Sequence, residues 1–116
     1  MRFLLATAAL ILSASMALAA DPVGRYRVEG TNPGSSSRYN GVAQVEKTGD
    51  TYRVVWVVGG TRYIGTGIGD SDFLAVSYRS GRDTGLALYH ADGDNWKGVW
   101  AYAGSRALGS EVWLRE

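Results

Sequence analysis

Beyond residue 23 the chain alternates polar and apolar residues one for one, and glycine-rich breaks interrupt the alternation at short, fairly even intervals. That is the period of a half-buried β-strand. Eight strands are expected, over residues 24–30, 39–47, 51–58, 61–67, 72–79, 84–90, 95–103 and 108–115. The breaks between them are turn formers, among them Thr48-Gly49-Asp50, Gly59-Gly60, Gly69-Asp70-Ser71 and Ala91-Asp92-Gly93-Asp94. Only residues 31–38 (TNPGSSSR) make a longer connection. Short connections join antiparallel neighbours. The expected architecture is therefore all-β, an eight-stranded antiparallel up-and-down meander. An open sheet would leave two unpaired edges, and closure removes both. Eight strands also enclose a width that side chains just fill, or that holds one small ligand. A closed barrel is favoured over a sandwich.

Single charges set the phase of most strands. Arg53 belongs in water, so Tyr52, Val54 and Trp56 point inward; Lys97 likewise turns Trp96, Gly98 and Trp100 inward. The same rule sends in Tyr26 and Val28, then Tyr39, Gly41, Ala43 and Val45, then Leu74, Val76 and Tyr78. The interior becomes aromatic rings set against glycines, a pairing that fits large rings into a narrow barrel. The last strand is ambiguous. Val112 and Leu114 share one face and Glu111, Trp113 and Arg115 the other, so either Trp113 is exposed or Glu111 is an interior polar group.

The first residues carry a different pattern. Met1-Arg2 is followed by an apolar run over residues 3–12 (FLLATAALIL) and by small residues ending in Ala17-Leu18-Ala19-Ala20. A charged start, an apolar stretch and an A-x-A site form an export signal. Residues 1–19 are expected to be cleaved, with Ala20 as the alternative cut, leaving a single domain over residues 20–116. The apolar stretch barely reaches the ~20 residues a spanning helix needs, and no later stretch is apolar enough to span. A periplasmic or secreted location follows. The sequence has no cysteine, so an exported chain of this size has no disulfides to lean on. All four Trp and all seven Tyr follow the signal. Setting Arg2 aside leaves eleven basic residues against eleven acidic ones, spread singly along the chain. No basic block suggests nucleic acid or an anionic membrane as partner.

Candidate chemistry is sparse. Gly65-Thr66-Gly67-Ile68-Gly69 lacks the spacing and the following helix of a dinucleotide loop. His90 is the single histidine and no nucleophile elbow accompanies it. One His without Cys supplies too few ligands for a transition metal. The Asp70-Ser71-Asp72 and Asp92-Gly93-Asp94-Asn95 segments could hold calcium, but Asp and Asn are also ordinary turn residues. Neither metal nor cofactor is expected. A glycosidase-like carboxylate pair would need two buried acids, and only Glu111 has a claim to burial. The aromatic interior remains. It is either a filled core, the favoured reading, or the floor of a pocket for a small apolar or aromatic ligand at one barrel mouth. The candidate ligand-binding residues are Trp56, Trp96, Trp100, Tyr52, Tyr78 and Glu111.

Residues 24–34 (GRYRVEGTNPG), Tyr39-Asn40-Gly41, residues 49–56 (GDTYRVVW) and residues 65–69 (GTGIG) together resemble a family of small, largely uncharacterised exported proteins of alphaproteobacteria, some labelled fibronectin-binding. The resemblance implies an exported β-meander and supplies no catalytic residues. The layout is also similar to avidin-like and lipocalin-like barrels and to small periplasmic lysozyme inhibitors, whose frequent cysteines are absent here. The functional expectation is a non-catalytic binding protein that engages an extracellular or envelope protein, or a small ligand, through its loops or mouth. The alternatives are a structural envelope protein without a discrete ligand and a small hydrolase using Glu111 or His90.

Overall fold

A computed structural model describes residues 21–116. The expected export signal lies outside the described residues. Eight strands follow one another, β1 (Gly24–Thr31), β2 (Arg38–Thr48), β3 (Thr51–Val58), β4 (Thr61–Gly69), β5 (Phe73–Ser80), β6 (Asp83–Asp92), β7 (Asn95–Tyr102) and β8 (Gly109–Arg115). Each pairs antiparallel with the next, and β1 also pairs with β8, closing the barrel in simple up-and-down order. The strands match the sequence pattern to within a few residues at their ends. One boundary has a clear cause. The fifth strand starts at Phe73 rather than residue 72, because Asp70 Oδ1 accepts the backbone N–H groups of Asp72 (2.8 Å) and Phe73 (3.1 Å). Those two bonds fix the turn and hold the Asp70 carboxyl below its usual range. The first acidic turn thus uses its aspartate to shape the backbone.

The barrel closes because small residues face large ones across the register. Trp56 lies beside Ala43, Tyr78 between Gly65 and Gly85, Tyr89 beside Gly98, and Trp100 between Ala87 and Gly109. A Cβ at Gly98 would collide with the Tyr89 ring and come within 2.5 Å of the Leu88 carbonyl oxygen. Glycine is required there by close approach rather than by backbone conformation. The inward phase inferred for β1, β2, β3, β5 and β7 is the phase observed. β8 resolves its ambiguity in favour of the acid: Gly109, Glu111 and Trp113 all face inward and are buried. Room for the Glu111 side chain comes from its cross-strand neighbours, Gly30 and Gly98.

The turns alternate between the two ends of the barrel, and the ends differ. At the end holding the β2–β3, β4–β5 and β6–β7 turns, residues 21–23 fold across the opening. Pro22 is fully buried and its carbonyl accepts the Tyr26 hydroxyl at 2.6 Å. Arg115 clamps the segment, donating to the carbonyls of Asp21 (2.8 Å), Val23 (2.9 Å) and Asp94 (2.9 Å) while its guanidinium lies over the Tyr26 ring. We call this the plugged end. The outer wall of β4–β7 also carries an apolar row in register, Ile68, Ala75, Leu88 and Val99.

Candidate functional site

The other end, where the β1–β2, β3–β4, β5–β6 and β7–β8 connections lie, contains a cavity of about 110 Å³. Its walls are rings projected inward from five strands: Tyr39 from β2, Trp56 from β3, Tyr63 from β4, Tyr78 from β5, and Trp100 and Tyr102 from β7. Asn32 and Val58 complete the wall near the connections, and Ala87, Tyr89 and Glu111 lie deeper. The rings meet edge to face rather than stacked, with centroids 5.8 Å apart for Trp56–Tyr78, 6.0 Å for Tyr39–Trp100 and 6.3 Å for Tyr78–Trp100. Edge-on contact is favourable for ring quadrupoles, and here it surrounds open space.

Glu111 forms the floor. It is 7% exposed, the only buried charged side chain among the described residues. Four donors converge on it from three neighbouring regions of the wall and from its own strand. Oε1 accepts the Trp113 indole N–H (2.7 Å), the Tyr89 hydroxyl (3.0 Å) and the Trp56 indole N–H (3.2 Å). Oε2 accepts only the Tyr39 hydroxyl, at 2.5 Å. A buried acid needs such donors to offset the loss of water, and aromatic N–H and O–H groups supply them without adding a charge. A carboxylate has about four lone-pair sites. Oε1 is crowded with donors, whereas Oε2 has a lone pair left for one more.

The same network keeps the phenols protonated. Burial, followed by the Glu111 charge and the hydrogen bond to it, raises Tyr39 and Tyr89 well above the ordinary tyrosine value of 10.0. Tyr78 is raised mainly by burial, with smaller contributions from Tyr102 and Glu111. These hydroxyls are therefore donors throughout the physiological range.

Of the six candidate residues, the structure brings Trp56, Tyr78, Trp100 and Glu111 to the cavity. Trp96 and Tyr52 face inward as expected but belong to the plugged half, away from the cavity lining. The filled-core and pocket readings each describe one half of the interior. Sequence reasoning did not pick out Tyr63, Tyr89 or Tyr102. The first two could have been found, since Tyr63 alternates with Gly65 and Gly67, and Tyr89 with Gly85 and Ala87. His90 points outward from β6, exposed, between Phe73 and Lys97 on the neighbouring strands. It stands on the opposite side of the sheet from Glu111. No protein-family model and no curated protein matches this chain.

Proposed function

We propose that the exported domain is a non-catalytic binding protein whose cavity takes a ring-sized aromatic ligand carrying an N–H or O–H donor. The carrying observation is the second oxygen of Glu111. Glu111 lies at the floor of an aromatic-walled cavity, and this oxygen has a single protein donor. An apolar cavity of about 150 Å³ accommodates a benzene ring, so a space of similar size suits one ring and little more. The walls supply dispersion and edge contacts, and Oε2 supplies one directional, charge-assisted acceptor. Small-molecule sites combine these two elements. Among the cavity residues Glu111 is the sole acid, and no His, Ser or Lys lines it. That composition supports binding over hydrolysis. The open half supports a ligand-holding protein over a purely structural one.

Phenol and aniline, each paired with toluene as a ring without a donor, test the reading by quenching of Trp fluorescence. Trp56 and Trp100 lie in the wall and report directly. The expected result is saturable quenching by the donor-bearing rings, at least tenfold weaker for toluene, which corresponds to about 1.4 kcal/mol for one hydrogen bond to a charged acceptor. Equal binding of toluene and phenol, or no saturable signal from any ring, would overturn it. A Glu111→Gln variant should lose the preference for donors while still admitting rings.

A further inference from the structure

The charges that look evenly scattered along the chain are sorted by the fold. Each connection at the cavity end, or a strand residue next to it, carries arginine: Arg38, Arg62, Arg79, Arg82 and Arg106, against Asp83 alone. The plugged end has the opposite balance, with Asp50, Asp70, Asp72, Asp92 and Asp94 in or beside its three turns and Asp21 and Glu116 at the two ends of the described residues, against Arg25, Lys47 and Arg115. Aspartate has a local reason to be in turns, as Asp70 shows. Arginine has none. All five rim arginines are exposed, and none lies within ion-pair distance of a carboxylate among the described residues. By contrast Arg25, Arg27 and Lys97, elsewhere on the barrel, each have an acidic partner.

We infer that the cavity end is a docking face for an anionic lipid bilayer. Three observations carry this. None of the five arginines lines the cavity, so they do not read the small ligand within it. They are distributed over all four connections, hence around the whole circumference, and a partner that meets them together must be at least as wide as the barrel. Leu108 and Tyr102, on the β7–β8 side of the same rim, are 64% and 38% exposed, an aliphatic and an amphipathic ring of the kind that enters the interfacial layer. Guanidinium groups pair bidentately with phosphate oxygens, and a charge-polarised barrel is turned by the field of an anionic surface so that its basic end faces it. The acidic, plugged end then points away, and the cavity mouth lies against the interface.

Cosedimentation of the purified protein with vesicles tests this without reference to the ligand. Phosphatidylcholine vesicles are compared with vesicles containing about a third phosphatidylglycerol. Each basic side chain near an anionic leaflet is worth roughly fivefold in partitioning. The Arg38→Ala/Arg106→Ala double variant should therefore bind about 25-fold more weakly. Arg27→Ala/Lys97→Ala, with the same change in net charge, should bind as wild type does, and so should Leu88→Ser on the apolar outer wall. Binding should vanish in about 1 M salt, where the screening length is ~3 Å. Failure to bind the anionic vesicles at low salt would overturn the proposal. So would equal loss in the two double variants, loss in Leu88→Ser, or retention on an immobilised acidic protein in place of vesicles. Each variant is compared at matched far-UV circular dichroism.

Discussion

The two halves of this barrel use the same residue types to opposite ends. In the plugged half and at its border the rings lie close and tilted: Trp113 lies 4.2 Å from Tyr89 and 5.2 Å from Tyr26, at 37° and 39°, and all three are at most 1% exposed. In the open half the rings stand edge-on at about 6 Å and a cavity remains between them. Strand number and closure are common to both, so the barrel geometry does not decide between core and pocket. What differs is the cover. Residues 21–23 and Arg115 seal one end, while the connections at the other end leave the rings walling a space. Glu111 stands at the boundary, taking Trp113 from the filled side and Tyr39, Trp56 and Tyr89 from the cavity lining. A polar group that would be a liability in a filled core becomes the feature that orders both halves.

The two halves should differ most in what their tryptophans contribute. Trp113→Ala should cost about 3–5 kcal/mol, the usual range for a large ring removed from a close-packed site. Trp100→Ala should cost about 2 kcal/mol, because its ring already borders open space and fewer contacts are lost. Urea unfolding of the two variants measures both, and equal losses would mean that the halves are packed alike.

Alkali probes the boundary itself. In the folded protein Tyr39 and Tyr89 hold their protons well above 10.0, the value expected for the unfolded chain. Between that pH and their raised values the folded state binds more protons than the unfolded state. These tyrosines should leave stability unchanged up to about pH 10 and lower it above that by about 1.4 kcal/mol per pH unit for each buried tyrosine. Tyr89→Phe should remove one such increment from the slope. Denaturation midpoints recorded at successive pH values above 10 give the slope directly, and an unchanged midpoint would show that the phenols are not held as described.

Glu111→Gln is the next smaller test. A carboxamide offers one acceptor oxygen where four donors now converge. The hydroxyls of Tyr39 and Tyr89 can rotate to find other acceptors, but the indole N–H groups of Trp56 and Trp113 are fixed. The expected cost is about 1–3 kcal/mol, with near-UV circular dichroism changing because rings on both sides of the boundary lose their anchor. A variant as stable as wild type would show that the network contributes nothing net.

Much of this was legible in the chain, and the illegible part has physical causes. Arg53 and Lys97 phased their strands because a lone charge amid apolar residues has one tolerable side. Glu111 and Trp113 could not be phased that way, since an acid and a large ring on one face give contradictory signals. The resolution lies in Tyr39, Trp56 and Tyr89, which approach Glu111 from 72, 55 and 22 residues away in sequence. No local pattern contains that information. The split of Trp96 and Tyr52 from Trp56 and Trp100 depends on depth along the barrel, which alternation alone does not report; position relative to the turns does. The arginine rim was readable in principle. In a meander every second connection lies at the same end, so Arg38, Arg62, Arg82 and Arg106 sort together once the turns are numbered. Counting charges along the chain averaged that asymmetry away.

The plug offers the smallest and cleanest test of the two-ended design. Arg115→Ala removes three hydrogen bonds to backbone carbonyls and a cation–ring contact with Tyr26. The carbonyls of Asp21, Val23 and Asp94 lie near the surface, where water can replace the lost donors, so the expected cost is only about 1 kcal/mol. Its distribution matters more than its size. Loosening residues 21–23 should expose the edge of the filled half, raising amide exchange along the first residues of β1 while leaving β8 from Gly109 to Trp113 protected. Ring binding at the cavity should be unaffected, because the plug and the cavity lie at opposite ends with Glu111, Tyr89 and Trp113 between them. If Arg115→Ala weakens ring binding as much as a change at Tyr78 does, the two ends act as one unit and the division proposed for the interior fails.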